Sequence, residues 1–331
     1  MNNSIILYSI VTFFFLYLCG TASYKLNLVD RPNKRKMHLK ATSYIGGVSI
    51  SIILLFALQL FNVESKELNL ILSIGFLISL IGFIDDKFNL KASIKLSLQL
   101  IPVSYLILFE NLNLMHLGDY SYFKLNLGAF AIPFTLLSVL LLINAFNYFD
   151  GIDGLLSCAT ISSLAIIYFL VSEKNVELFL ITVFIPIAIF LFFNFSIFKL
   201  PKQFLGDSGS LLLGFILSFL LIYLAKQKIV HPILLAWSIS IFVYEFISIN
   251  IIRLKNKKPL FMPTKDHLHN VFFIKTKSVV ITNFFICIIN IFFFTIGYFS
   301  FIFINSITSF FLFIVIFFIF LILRFKYFII R

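Results

Sequence analysis

Two short runs carry the residues best suited to chemistry: Asn144-Ala-Phe-Asn147-Tyr-Phe-Asp150-Gly-Ile-Asp153-Gly154 and Phe204-Leu-Gly206-Asp207-Ser208-Gly209-Ser210. Each places carboxylates and glycines at the end of a long apolar segment, where charge is expensive. Acids beside glycine turns and helix starts can hold a hard divalent cation and a phosphate together. The pattern points to a membrane enzyme acting on a phosphorylated substrate.

Further candidates flank these runs. Asp85 and Asp86 close an apolar segment in Gly82-Phe-Ile-Asp85-Asp86-Lys87. Adjacent carboxylates repel, so they favour sharing a cation or a proton. Lys91 and Lys95 follow at helical spacing and could neutralise an incoming lipid phosphate, or simply anchor the segment. Asp150 and Asp153 would share a face if their segment is helical, with Asn147 one turn back. Gly206-Asp207-Ser208-Gly209-Ser210 immediately precedes a span whose first amides and positive dipole end suit an anion, while Asp207 suits a metal. A longer loop contains His267-Leu-His269, which could donate to a diphosphate or bind metal. An early loop reads Asp30-Arg31-Pro32-Asn33-Lys34-Arg35-Lys36-Met37-His38, ahead of Ile45-Gly46-Gly47.

The elements that position these residues are written in the composition. Of the 331 residues, 61% are hydrophobic and only 12% charged, which excludes a soluble globular domain. Apolar segments near 4–24, 44–61, 68–84, 95–110, 128–146, 155–171, 177–198, 209–225, 232–252, 279–299 and 303–323 predict an all-α polytopic membrane protein of about eleven transmembrane helices. With no extended polar stretch left over, residues 1–331 read as one integral-membrane domain. The first segment lacks a cleavage signature and reads as an uncleaved span. Cys19, Cys158 and Cys287 are isolated and read as packing residues.

A net charge of +12 could suggest nucleic acid, but its distribution excludes that. All basic residues except Lys66, Lys124, Lys174, Lys226 and Lys228 fall in alternate loops on one side. The positive-inside rule then places the N-terminus outside and the C-terminus in the cytoplasm. Asp30, His38, Asp85, Asp86, Asp150, Asp153, Asp207, Glu245, Asp266, His267 and His269 all fall on that cytoplasmic side. Glu64, Glu67, Glu110, His116, Asp119, Glu173, Glu177 and His231 fall opposite and read as solvated loop residues.

Taken in order, these blocks resemble the polyprenyl-phosphate N-acetylhexosamine-1-phosphate transferases, relatives of phospho-MurNAc-pentapeptide transferase. The resemblance runs from about residue 25 to 277, leaving two further spans in 278–331. Its eleven-span pattern looks like the branch that uses UDP-GlcNAc and related sugars. It implies that a lipid phosphate attacks the β-phosphorus of a UDP-amino sugar and releases UMP, on the cytoplasmic face of a bacterial inner membrane. Undecaprenyl phosphate and a UDP-N-acetylhexosamine are the implied partners, with a homodimer allowed. The implied step starts a cell-surface glycan such as O-antigen or a wall polymer. By the same resemblance Asp207 would ligate Mg²⁺ (or Mn²⁺), and Asp85 or Asp86 would deprotonate or orient the lipid phosphate. Asn147, Asp150, Asp153 and Phe204 would hold the nucleotide, with Phe204 beneath uracil. Lys36, His38, Lys95, His267 and His269 would contact phosphates or sugar.

Three positions depart from that pattern: Ser43 in place of Pro, Thr264 in place of Pro before Lys265-Asp266, and Asn270 in place of a final His. The last two lie in the loop linked with sugar choice, which opens the donor to UDP-FucNAc or UDP-QuiNAc. A transporter or flippase would instead show midplane charges and repeated halves. An inactive scaffold would have lost carboxylates that are all present here.

Overall fold

The hydrophobic pattern resolves into helices whose ends are set by local chemistry. In the computed structural model, residues 2–32, 40–61, 63–257 and 266–327 are described. Lys36, His38 and Thr264 lie outside them. Thirteen α-helices are present among the described residues: α1 Asn2–Lys25, α2 Gly46–Leu60, α3 Lys66–Phe88, α4 Ala92–Leu108, α5 Ala131–Phe149, α6 Leu155–Leu170, α7 Lys174–Asn194, α8 Gly206–Lys226, α9 Pro232–Ser238, α10 Ser240–Lys255, α11 Leu268–Thr276, α12 Val279–Phe303 and α13 Ser306–Tyr327. Ser65 caps α3 by accepting the Leu68 amide at 3.3 Å, and Asn89 ends it in the left-handed region at φ 51°. Ser278 caps α12 in the same way, through the Ile281 amide.

Seven helices are long and apolar enough to cross a membrane, or eight if the bent α9–α10 pair counts as one span. The chain is therefore an integral membrane protein, mostly helical. Three shorter apolar helices, α2, α4 and α6, coincide with other expected segments. The expected single span over 232–252 is instead broken: α9 and α10 meet at a 72° bend. The backbone freed there is satisfied by neighbouring helices. Ser163 Oγ donates to the Ser238 carbonyl at 2.7 Å, and Asn290 Nδ2 reaches the same carbonyl at 3.3 Å.

The chain divides into two compact units, one of residues 1–103 and 172–217, the other of 104–171 and 218–331. In the first, α2 packs against α1, α3 and α7. A short antiparallel pair, β1 Val29–Asp30 with β2 Thr42–Ser43, sits beside them, with Val29 opposite Ser43. Ser43 also bridges Gln203, accepts the Phe204 amide at 2.7 Å through its carbonyl, and accepts the Ile45 amide at 3.4 Å through its hydroxyl. The departure at position 43 is thus absorbed by a local turn. In the second unit α12 is central, touching α6, α9, α10, α11 and α13. There β3 His116–Asp119 pairs with β4 Lys124–Asn126 as a hairpin.

His231 corrects one expectation, because it is no ordinary solvated residue. Its Nδ1 accepts the Ile233 amide at 3.2 Å and caps α9, so Nε2 carries the proton and donates to the Asp119 carbonyl at 3.1 Å. Burial pushes its pKa below the ordinary histidine value.

Glycines let the helices of the first unit meet at backbone distance. A Cβ at Gly47 would run into the backbone of Ser208 and Gly209, and one at Gly82 into the backbone of Asp207 and Ser208. A Cβ at Gly75 would meet only the mobile end of Leu212, at 3.1 Å. Gly47→Ala is therefore expected to cost about 2–3 kcal/mol, against about 1 kcal/mol or less for Gly75→Ala. Thermal unfolding of the two variants in one detergent measures the difference, and equal costs would show that the close approach is not rigid.

Candidate functional site

In the first unit, the sequence motif Gly206-Asp207-Ser208 is the first turn of α8 rather than a loop before it. A helix start leaves amides without intrahelical partners. Asp86 supplies them: Oδ1 accepts the Asp207 amide at 2.9 Å and Oδ2 the Ser208 amide at 3.2 Å. The anion expected at this helix end is therefore the protein's own carboxylate. Gly206 makes the approach feasible, since it sits at φ +71° and a Cβ there would strike Asp86 Oδ2.

Asp85, its neighbour on α3, points elsewhere. Its Oδ1 accepts the Leu90 amide at 2.7 Å, and its Oδ2 lies 2.7 Å from Lys95 Nζ. Lys95 also pairs with Asp207 Oδ2. Asp85, Lys95 and Asp207, named separately from sequence, thus form one cluster drawn from α3, α4 and α8. Asp85 and Lys95 are largely buried, with side-chain exposures of 10% and 12%, while Asp207 is more open at 32%. Two carboxylates, Asp85 and Asp207, meet the one ammonium of Lys95, while the third, Asp86, meets the α8 amides.

That donor set suits a hard cation. Two carboxylate oxygens from different helices already converge on a positive charge, the Lys95 ammonium. Mg²⁺ characteristically takes one or two carboxylates and fills its remaining positions with water and substrate phosphate. No three His, Cys, Asp or Glu side chains form a ready-made ligand set among the described residues. Asp85 and Asp207 are the residues here that could hold such an ion. Phe204 is half-buried in this unit, and Lys202 Nζ lies 5.5 Å from its ring centroid.

The second unit gathers a different set. The Asp150–Gly154 stretch is a turn between α5 and α6, not a helix, so Asp150 and Asp153 do not share a helical face. Asp150 is exposed and caps α5, while the Asp153 carbonyl accepts Asn283 Nδ2 at 2.9 Å. Asn147 lies in the last turn of α5. His269 packs directly on Gly151, where a Cβ would collide with its imidazole. His267 stacks in parallel beside His269, with centroids 5.4 Å apart, and meets Tyr148 edge-on at 5.4 Å. The histidine pair and the aspartate turn are thus one assembly.

Arg253 completes it and was read from sequence only as a charge anchor. Its Nη1 donates to Tyr148 Oη at 3.2 Å, its guanidinium lies 5.1 Å from the Tyr148 ring centroid, and its Nη2 donates to His267 Nε2 at 3.4 Å. Because an arginine can only donate, His267 Nε2 must be the acceptor and Nδ1 carries the proton. A usable signal existed. In a chain whose basic residues are mostly Lys, Arg253 and Arg324 are the arginines set inside apolar helices.

Both histidines are held neutral. Burial pushes His267 well below the ordinary imidazole value, and the positive charges of Arg253 and Arg324 push the same way. Burial, then Arg324, lowers His269 to about 3. The charged groups around the pair are Arg253, Arg324 and Glu245. A histidine with a lowered folded-state pKa adds stability that is fully present above about pH 6.5 and is lost as pH falls toward the folded value. The stability advantage of wild type over His269→Gln should therefore shrink by about 2 kcal/mol between pH 7 and pH 5. Denaturation midpoints at the two pH values measure it, and a pH-independent difference would rule out a buried neutral imidazole.

Comparison with known proteins gives the family. The glycosyl transferase family 4 model matches residues 68–225, which include Asp85, Asp86, Lys95, Asp150, Asp153 and Asp207. The undecaprenyl-phosphate alpha-N-acetylglucosaminyl 1-phosphate transferase of Yersinia pestis is 28% identical over 278 residues, covering 82% of this chain and 76% of the relative. The enzyme of the same name from Escherichia coli K12 matches with the same identity and coverage. A probable undecaprenyl-phosphate N-acetylglucosaminyl 1-phosphate transferase of Bacillus subtilis is 32% identical over 253 residues, covering 74% of this chain and 70% of its own. With such a relative matched over more than two thirds of its length, and the carboxylate cluster inside the matched segment, the chain belongs to glycosyl transferase family 4.

Proposed function

We propose that this protein transfers an N-acetylhexosamine 1-phosphate from a UDP-sugar to undecaprenyl phosphate, as the first step of a cell-surface glycan. A phosphate oxygen of the lipid bonds to the β-phosphorus of the donor, and the bond from that phosphorus to the UMP oxygen breaks. UMP leaves, and a polyprenyl diphosphate sugar remains in the bilayer. The observation that carries the reading is the Asp85–Lys95–Asp207 cluster, in a chain whose relatives bear that activity in their names.

The residues divide the work by their chemistry. Lys95 neutralises the lipid phosphate as it approaches the donor, which lowers the repulsion between two anions. Asp85, held by the Leu90 amide and Lys95, orients the attacking phosphate and takes its proton when one is present. Asp86 holds the start of α8 and so positions Asp207 rather than reacting. Asp207, with Asp85 beside it, would hold Mg²⁺, which when bound neutralises charge on the transferring phosphoryl group. In the second unit, Asn147, Asp150 and Asp153 are assigned to the nucleotide, and His267, His269 and Arg253 to phosphate and sugar. Neutral imidazoles can both donate to and accept from hydroxyl and acetamido groups, which suits a sugar.

The donor is UDP-GlcNAc or a relative such as UDP-FucNAc or UDP-QuiNAc. Asn270, in the first turn of α11, is the departure that keeps the deoxy sugars in view. The reading also places the protein in the bacterial inner membrane with eleven spans and its chemistry on the cytoplasmic side.

The test uses purified protein in detergent with Mg²⁺, undecaprenyl phosphate and a panel of UDP-N-acetylhexosamines. UMP and lipid-linked sugar should appear together, with one donor preferred. Asp207→Asn and Lys95→Met should each lower turnover about 100-fold or more. Well-folded wild type that releases no UMP from any donor would sink the activity. Near-normal turnover of Asp207→Asn would remove that residue from the metal site.

A further inference from the structure

Helix α13 lies beyond the segment matched by the family model and is largely an apolar rod, with Phe311, Phe318, Ile319 and Ile322 exposed along it. Yet Arg324, near its end, is fully buried at 1% exposure, as is Glu245 of α10. Their side chains meet at two points: Nε lies 3.0 Å from Oε2, and Nη2 donates to Oε1 at 3.0 Å. Both partners then reach past each other to the backbone on either side of His267. Arg324 Nη2 donates to the Asp266 carbonyl at 2.7 Å, and Glu245 Oε1 accepts the Leu268 amide at 2.9 Å. The protonated Nδ1 of His267 faces the same Oε1 at 3.9 Å.

We propose that the Arg324–Glu245 pair is a buried clamp that fixes the His267–His269 segment for donor recognition, which makes α13 a working part of the transferase. Its catalytic consequence rests on the function proposed above, while the clamp itself does not. A buried ion pair contributes little net stability, because desolvation of both charges offsets their attraction. What this pair does contribute is geometry. The guanidinium fork is rigid and planar, and its second-row nitrogen bonds a carboxylate and a peptide carbonyl at once. The peptide groups before and after His267 are thereby held by the two partners of one ion pair, while Arg253 holds the imidazole itself. Arg324 and Glu245 are positioning residues, acting through His267 and His269.

The experiment compares full-length wild type, Arg324→Lys, and the neutral pair Glu245→Gln with Arg324→Met, all in detergent. The double variant removes both charges of the pair together, so neither Glu245 nor Arg324 is left as an orphaned partner. Reaction of His267 and His269 with diethyl pyrocarbonate is followed by peptide mass spectrometry, with exposed His116 as the internal reference. The double variant should react about 10-fold faster at both histidines. Its kcat/KM for the UDP-sugar should fall about 100-fold while the KM for undecaprenyl phosphate stays unchanged. Arg324→Lys, which keeps the charge and loses the fork, should fall between, and it decides the matter if the double variant is not monodisperse. Unchanged histidine protection would overturn the clamp, and opened histidines with unchanged donor kinetics would overturn the positioning role. If wild type transfers no sugar, the functional reading fails, and histidine protection alone decides the clamp.

Discussion

The seating of Asp86 on the first amides of α8 is the contact on which the first unit depends. Helix α8 is enclosed along nearly all its length, so its leading N–H groups cannot be left to water. An internal carboxylate meets that need, and its charge is stabilised by the positive end of the helix. Reaching it requires backbone-to-backbone approach, hence glycine at 47, 82 and 206. Successive residues on a helix face different directions, so fixing Asp86 on α8 turns Asp85 toward Lys95. The meeting of Asp85, Lys95 and Asp207 is therefore a geometric by-product of satisfying one buried helix end.

The second unit solves the same problem with opposite means. There the buried polar groups are arginines, a glutamate and two neutral histidines, and their partners are mostly backbone and aromatic groups. Low polarity keeps the imidazoles uncharged, which leaves each ring one donor and one acceptor. The polar groups buried in the two units are thus drawn from separate chemical stocks, carboxylates and lysine in one, arginines, glutamate and neutral imidazoles in the other.

Much of this was legible in the order of residues. Asp85, Lys95 and Asp207 stood out because charge at the ends of apolar segments needs a reason, and they do meet. The long apolar helices followed from hydropathy, since length and apolarity are what mark a span. What escaped depended on tertiary contact. The seating of Asp86 on α8 could not be read from sequence, because adjacent carboxylates look alike until their partners are known. The helical spacing of Asp150 and Asp153 misled, because Gly151 and Gly154 turn that segment into a loop. Arg253 and Arg324 were absorbed into a charge count that treats every basic residue as an anchor. The break at Ile239 left no hydropathy trace, for both halves are apolar.

That break has a bearing on how the protein can move. A seven-residue helix such as α9 rises about 10 Å, roughly a third of a hydrocarbon core. Ser238, the last residue of α9, is fully buried, so its released carbonyl has no solvent to turn to. Ser163 and Asn290 reach it from α6 and α12, and straightening or further bending would strand it. The joint behaves as a welded elbow and not as a hinge. The α9–α10 angle is thereby a fixed datum within the second unit, held at one carbonyl by α6 and α12.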